Sequence, residues 1–187
     1  MVVVILVGGK GVGKSTIAQY LVDHSNFTRL SFAGPIKDAV SSIFGWDRSM
    51  IEGATEESRY WREQRDEWWS NMLGRDITPR LMLQEVGTDV FRTHFHSDIW
   101  VLSAMRKLQA GNNYVIDDCR FPNEVDLIRS SGLLCVVIKV IREGIVSFDT
   151  HVSEQMFNQI SYDRELVNDQ LQDTVECMHI LVQEYVI

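Results

Sequence analysis

The chain has 187 residues, 45% of them hydrophobic, which is enough for one globular domain with a core of its own. Its formal net charge of −8 at pH 7 argues against broad nucleic-acid binding, because proteins that bind nucleic acids usually present a basic surface. No apolar run is long enough to cross a membrane, and three widely spaced cysteines argue against a zinc site and favour a reduced, cytoplasmic setting.

The first predicted element is a strand that leads into a glycine-rich loop. Residues 2–7 are apolar and mostly β-branched, which is typical of a buried strand. They are too few for a signal peptide and lack a basic flank. Residues 8–15 fit the P-loop pattern, and residues 16–22 have helical spacing. Such a loop points backbone N–H groups at nucleotide phosphates. The sequence therefore predicts an ATP site at Gly11, Val12, Gly13, Lys14, Ser15 and Thr16.

A second strand is expected at residues 27–32, followed by a helix that starts near Pro35. Lys37 falls in the first turn of that helix, where a cation opposes the helix dipole. A phosphate bound near the helix start would compensate this charge. The alternative is a lysine that is simply exposed to solvent.

Residues 45–78 combine four tryptophans with alternating arginines and acidic residues. Residues 55–73 look like one amphipathic helix, and we expect the region to form a helical flap or lid. The tryptophans either stack on a base or anchor the segment to the core, and packing is the commoner use.

The next helix is expected to start with Thr78 as its N-cap and Pro79 at its first position. Arg80 and Gln84 are four residues apart and so share a helix face, where an arginine for phosphate and a glutamine for a base edge would fit one ligand. We expect the element to kink or end at Gly87. Another helix is expected at 97–110.

An apolar strand that ends in acidic residues follows at residues 114–118. Beside a P-loop this is the Walker B pattern, which assigns Asp117 to the Mg²⁺ shell together with Ser15. Arg120 and Arg142 come directly after predicted strands, at the edge where parallel sheets place ligands. Pro122 is expected to start a helix, and further strands are expected at 133–140 and 164–167, before a terminal helix.

The alternation of strands and helices predicts an α/β fold, a three-layer arrangement around a mostly parallel sheet. The candidate cations for the ligands are Lys10, Lys14, Lys37, Arg80, Arg120 and Arg142. They carry more positive charge than ATP alone needs, which suggests a second anionic ligand, most simply a monophosphate. A phosphate acceptor is already a nucleophilic oxyanion, so it requires positioning and charge neutralisation rather than a general base.

The chain resembles the phage deoxynucleoside monophosphate kinases, a branch of the P-loop nucleoside monophosphate kinases. The resemblance rests on residues 8–16, 31–39, 78–92, 117–124, 151–154 and 168–169, and so covers most of the chain. Its most particular motifs are Gly34-Pro35-Ile36-Lys37 and Asp117-Asp118-Cys119-Arg120-Phe121-Pro122-Asn123-Glu124. Residues 45–75 match least well, which leaves the base specificity open.

The resemblance implies a single P-loop kinase domain over 1–187 with a helical insertion at about 45–110. It implies phosphate transfer from ATP, with Mg²⁺, to a deoxynucleoside monophosphate (dNMP). The cysteines, the net charge and the lack of a long apolar run favour a cytoplasmic protein without stable binding to nucleic acid or membrane; a homodimer is left open. Lys14, Arg120 and Arg142 are predicted to be catalytic, and the region of His151 is predicted to lie near the donor. The predicted acceptor residues are Lys10, Ile36, Lys37, Trp69, Arg80, Gln84, Asp118, Arg120, Asn123 and Glu124.

Three alternatives compete with this hypothesis. A kinase of another small molecule, similar to a dephospho-coenzyme A kinase, would need Asp117 or Asp118 as a base for a hydroxyl acceptor. A non-catalytic switch module would bind ATP without turnover. A kinase acting on a polynucleotide is disfavoured by the net charge of −8.

Overall fold

The computed structural model describes residues 1–142, 144, 156–169, 178 and 185. It divides the chain into two compact units: a sheet unit, Met1–Phe32 with Val101–Ile187, and a helical unit, Ala33–Trp100. Across the described residues, no helix has the length and apolar character needed to cross a membrane.

The sheet unit is built on five parallel strands in the order β2-β3-β1-β4-β5. Their bounds are β1 (Val2–Val7), β2 (Phe27–Leu30), β3 (Asn113–Ile116), β4 (Leu134–Ile141) and β5 (Arg164–Val167). The predicted α/β fold with a parallel sheet is therefore confirmed. Every residue of β1 is buried, as expected for a central strand that is covered on both faces.

The helices begin and end as follows: α1 (Lys14–His24), α2 (Gly34–Phe44), α3 (Arg48–Glu52), α4 (Glu56–Arg62), α5 (Glu67–Leu73), α6 (Pro79–Gln84), α7 (Ile99–Met105) and α8 (Pro122–Ser130), with a π-helix at Glu85–Thr93 and a 3₁₀ helix at Met156–Gln159. Helix α1 connects β1 to β2 in one direction along the sheet, and α8 connects β3 to β4 in the other. Because such crossovers are right-handed, α1 and α8 lie on opposite faces of the sheet. The sheet unit is therefore layered helix, sheet, helix.

The helical unit has its own apolar core, formed by Val40, Trp46, Ile51, Ile77 and Met82. The single helix predicted over 55–73 is wrong: α4 ends at Arg62 and α5 begins at Glu67. Asp66 causes the break, because its carboxylate accepts hydrogen bonds from Trp69 N (2.9 Å) and from Trp46 Nε1 (2.7 Å). It thereby caps α5 and ties the new helix to the core.

Two other predicted elements differ from the structure. The helix predicted over 97–110 is confined to Ile99–Met105, and the element expected to kink or end at Gly87 continues through it as the π-helix. Gly87 packs against Ile36, so that a Cβ at position 87 would lie 3.0 Å from Ile36 Cδ1. The His151 region and nearly all of the predicted terminal helix lie outside the described residues.

Candidate functional site

The P-loop follows β1 and wraps back onto the start of α1. Gly8, Gly11 and Gly13 all have positive φ, at 148°, 86° and 97°. At two of these positions a side chain would also collide with neighbours: a Cβ on Gly8 would lie 2.3 Å from Val140 O, and one on Gly13 would lie 2.1 Å from Asn168 Nδ2. The glycines are therefore required by backbone conformation and by close packing.

Lys14, the first residue of α1, is buried, and its ammonium lies inside the loop. Its Nζ donates to Gly8 O (2.7 Å) and Gly9 O (2.6 Å). Ser15 and Thr16 are exposed in the first turn of α1, where helix N–H groups and the helix dipole favour an anion. Lys10 is exposed on the loop. The loop thus presents N–H donors, one hydroxyl at Ser15 and two lysines within eight residues.

Asn168 joins the P-loop to the far strand of the sheet. It follows β5, it is 5% exposed, and its Nδ2 donates to Val12 O at 2.7 Å. Its own backbone N–H donates to Ile141 O at 2.8 Å, which continues the ladder between β4 and β5. The sequence motif contains Asn168, but nothing in it indicated this contact.

The two acidic residues after β3 have different partners. Asp117 is 5% exposed and accepts a bidentate ion pair from Arg29 on β2, with Nε to Oδ1 at 2.9 Å and Nη2 to Oδ2 at 2.5 Å. Asp118 accepts from Ser31 Oγ (2.6 Å) and from Phe32 N (3.1 Å). Both carboxylates therefore connect the end of β3 to the end of β2.

The turn that carries Arg120 is held together by Glu124. Glu124 is 1% exposed, and its Oε2 accepts from Arg120 N (2.8 Å) and Phe121 N (3.1 Å). Burial and the nearby Glu124 carboxylate raise the pKa of the Cys119 thiol. Glu124 thus shapes the turn from which the half-buried side chains of Arg120 and Asn123 extend.

A magnesium ion fits the donors that this edge of the sheet presents. Mg²⁺ is bound through oxygen, commonly by one or two carboxylates together with substrate phosphates and water. The Ser15 hydroxyl and the carboxylate of Asp117 supply donors of this kind. The described residues contain no cluster of three or more His, Cys, Asp or Glu side chains suited to a metal.

Arg142 is exposed directly after β4, at the same edge of the parallel sheet as the P-loop.

In the helical unit, Lys37 lies in the first turn of α2 and binds Glu52, with Nζ to Oε1 at 2.5 Å. Glu52 therefore supplies the compensating negative charge for which the sequence suggested a phosphate. Burial alone would raise the pKa of Glu52, but hydrogen bonds from Lys37 and Arg48 outweigh it and lower that pKa.

The remaining predicted residues of the helical unit lie on α2, α5 and α6. Trp69 belongs to the packed aromatic cluster, and its Nε1 donates to Phe44 O at 2.9 Å. Arg80 and Gln84 are half-buried on α6, four residues apart as predicted, and Ile36 packs against Gly87.

Residues 63–178 match the family model for deoxynucleotide monophosphate kinase. A putative deoxynucleotide monophosphate kinase from Acanthamoeba polyphaga mimivirus is 39% identical over 184 residues, covering 90% of this chain and 89% of the relative. This chain belongs to the deoxynucleotide monophosphate kinase family. The predicted resemblance is thereby confirmed. The residues that match the family model, 63–178, do not include the P-loop.

Two phage members of the deoxynucleotide monophosphate kinase family are also similar. The deoxynucleoside-5′-monophosphate kinase of Escherichia phage T5 is 27% identical over 224 residues, covering 89% of each chain. The deoxynucleotide monophosphate kinase of Enterobacteria phage T4 is 33% identical over 95 residues, covering 48% of this chain and 39% of the relative. The similarity to the mimivirus and T5 kinases therefore extends over most of this chain.

Proposed function

We propose that this protein transfers the γ-phosphoryl group of ATP to a deoxynucleoside monophosphate, giving a dNDP and ADP for DNA precursor synthesis. The observation that carries the proposal is a P-loop, with Lys14 enclosed in it, in a chain of the deoxynucleotide monophosphate kinase family. Viral relatives named for this activity support it, as does a sheet edge that presents arginines and carboxylates beside the loop. A dephospho-coenzyme A kinase or a non-catalytic module is not favoured.

The chemistry requires one displacement at phosphorus. A phosphate oxygen of the dNMP forms the new bond to the γ-phosphorus, and the bond from that phosphorus to the β–γ bridging oxygen breaks, leaving ADP. The attacking oxygen is already anionic, so no general base is required. Lys14 and Arg120 would stabilise the charge on the transferring phosphoryl group, and Arg142 would contribute at the donor side.

ATP would bind to Gly11, Val12, Gly13, Lys14, Ser15 and Thr16, with Mg²⁺ near Ser15 and reaching Asp117 through water. The ion would neutralise charge on the β- and γ-phosphates. Arg29 keeps the Asp117 carboxylate in one orientation, and a carboxylate whose oxygens already accept two N–H groups is suited to an outer, water-mediated role. The close packing of Gly13 against Asn168, and the hydrogen bond from Asn168 to Val12, would keep the loop in the shape that binds phosphate.

For the acceptor we propose Lys10, Ile36, Lys37, Trp69, Arg80, Gln84, Asp118, Arg120, Asn123 and Glu124. The contacts of two of these residues favour an indirect role. Glu124 is buried under the Arg120 turn, and Trp69 is packed beside Phe44, so both would shape the acceptor site. We propose that the reaction takes place in the cytoplasm, which for a viral kinase is the cytoplasm of the host cell. Nucleic acid is not a partner in this proposal.

A coupled ADP-release assay tests the proposal. ATP and Mg²⁺ are held constant while dAMP, dGMP, dCMP, dTMP, the matching ribonucleotides and dephospho-coenzyme A are added one at a time. Turnover with one or more dNMPs, and weaker turnover with ribonucleotides, is the expected result. Turnover only with dephospho-coenzyme A, or ATP binding without any turnover, would contradict the proposal.

A further inference from the structure

The guanidinium of Arg62 lies directly against a glycine in the helical unit. Arg62 is the last residue of α4, and Gly53 follows the end of α3 with φ 70°. A Cβ at position 53 would come 2.2 Å from Arg62 Cζ and 2.3 Å from Nη2. Glycine at 53 therefore permits both the left-handed turn and the close approach of this guanidinium.

Arg62 is half-buried, and it has no ion pair with a carboxylate among the described residues. Its Nε is inaccessible to solvent and has no hydrogen-bond partner among the described residues. The carboxylates of Glu63, which is exposed, and Glu52 act on Arg62 electrostatically. The two oxygens of Glu52 already accept from Lys37 and Arg48. Elsewhere in this unit, carboxylates form ion pairs with Arg48, Arg65 and Arg75.

A second cation, Arg80, increases the positive charge near Arg62. Arg80 lies on α6, which packs against α4. Burial is the main cause that lowers the pKa of Arg62, and the charge of Arg80 is the next. Two positive charges close together in a partly buried environment favour the binding of an anion beside them. The planar guanidinium is the protein group best suited to bind a phosphate through two parallel hydrogen bonds.

We propose that Arg62, with Arg80, binds the phosphate of the acceptor dNMP, and that Arg62 is a further substrate-binding residue. The identity of the ligand rests on the proposed function, whereas the anion site rests on the geometry of Arg62, Gly53 and Arg80. Arg62 belongs to the segment 45–75, where the motifs of the family are weakest, and it lies just outside the residues matched by the family model, 63–178. Sequence motifs therefore could not identify it.

The test compares Arg62→Met and Arg62→Lys with Arg59→Met as the matched control. Arg59 is on the same helix, is exposed, and donates to Ala54 O. Calorimetric titrations measure Kd for inorganic phosphate, for the dNMP that the wild type phosphorylates fastest, and for the deoxynucleoside that lacks its phosphate. Melting of the ligand-free proteins is measured in parallel.

For Arg62→Met we expect at least a tenfold higher Kd for the dNMP and for inorganic phosphate, and no change for the deoxynucleoside. Its ligand-free melting temperature should equal or exceed that of the wild type, because a half-buried guanidinium whose Nε has no hydrogen-bond partner is removed. Arg62→Lys should keep the charge but lose the paired hydrogen bonds, giving an intermediate Kd. Arg59→Met should behave as the wild type.

Three results would overturn the inference: an unchanged phosphate Kd in Arg62→Met, an equal loss of affinity for deoxynucleoside and dNMP, or a large fall in ligand-free melting temperature in both Arg62 variants. The inference and the proposed function fail separately. If the wild type phosphorylates dNMPs while Arg62→Met retains its affinity, only the inference is wrong. If the wild type accepts no dNMP, the function is wrong, and the titration with inorganic phosphate still decides whether Arg62 binds an anion.

Discussion

Arg29 holds both carboxylate oxygens of Asp117, with donor–acceptor distances of 2.9 and 2.5 Å. The pair joins β2 to the end of β3, and the side chain of Asp117 is only 4% exposed while that of Arg29 is 40% exposed. The acidic residue that the Walker B pattern assigns to the metal shell is therefore fixed by an arginine from the neighbouring strand. Arg29 therefore sets the orientation of the Asp117 carboxylate.

Replacing Arg29 with Met should destabilise the fold by about 2 kcal/mol, because a buried carboxylate loses both of its guanidinium hydrogen bonds. Adding Asp117→Asn should restore part of that stability, since the uncompensated charge is gone. Urea unfolding of both single variants and the double variant gives the coupling energy. Arg106→Met, at an exposed position, is the control; equal stability of Arg29→Met and this control would contradict the prediction.

Asn168→Ala should weaken ATP binding, because the hydrogen bond to Val12 O that fixes the P-loop is lost. One such bond contributes about 1 kcal/mol, so we expect roughly a fivefold higher Kd. Asn168→Asp should be worse, since a carboxylate oxygen would face the carbonyl of Val12. Titration with ATP measures the Kd of both Asn168 variants, with Asn158→Ala, at an exposed position, as control. ATP affinity unaffected by either change at Asn168 would show that the contact does not shape the loop.

Lys14→Ala should lower kcat by at least about 10²-fold, because an ammonium that stabilises the transferring phosphoryl group is removed. The melting temperature should change much less, since the contacts of Lys14 at 2.6–2.7 Å are to two carbonyls of its own loop. Steady-state kinetics with saturating ATP and dNMP check this, with the exposed Lys107→Ala as control. Near-normal turnover in Lys14→Ala would remove the P-loop from the reaction.

Arg120→Ala should reduce kcat strongly, by about 10²-fold, while ATP affinity stays within a factor of about three. The turn itself should persist, because Glu124 accepts hydrogen bonds from the backbone N–H groups of residues 120 and 121, which the substitution leaves in place. Kinetics together with ATP titration separate the two effects. A loss confined to ATP affinity would place Arg120 at the donor instead.

Glu52→Gln should make the fold less stable at pH 7 by less than about 1 kcal/mol, because Glu52 is partly exposed and solvent screens its ion pairs. Hydrogen bonds from Lys37 and Arg48 lower the folded-state pKa of Glu52 below its ordinary value of 4.5. The stabilisation is therefore present above that ordinary pKa and lost as pH falls through the folded-state pKa. Urea unfolding from pH 7 to 3 should show the unfolding free energies of the wild type and Glu52→Gln converging. A difference that stays constant with pH would contradict this.

Local sequence patterns predicted most of the sheet unit. Runs of apolar residues predicted β1, β3 and β4, and the P-loop motif, with its flanking strand and helix, predicted the start of α1. Pro122 marked the start of α8. Each of these signals depends on residues that are neighbours in the chain, which is why one sequence is enough to reveal them.

The contacts that the sequence did not reveal join distant residues. Asp66 ends one helix and starts another partly because Trp46, twenty residues earlier, donates to it. Arg29 meets Asp117 across 88 residues, and Asn168 meets Val12 across 156. These pairs form because β2, β3 and β5 take particular places in the sheet. The residues next to each partner in the sequence therefore do not predict which distant residue it will contact.

The most direct test of the account follows the phosphorus atoms. Wild-type protein is incubated with ATP, Mg²⁺ and the preferred dNMP, and ³¹P NMR records the products. The account predicts that the dNMP resonance is replaced by the two coupled resonances of a dNDP, in step with ADP, and that Lys14→Ala shows neither at the same enzyme concentration. Release of inorganic phosphate while the dNMP remains unchanged would mean that water is the acceptor, and would contradict the proposed transfer.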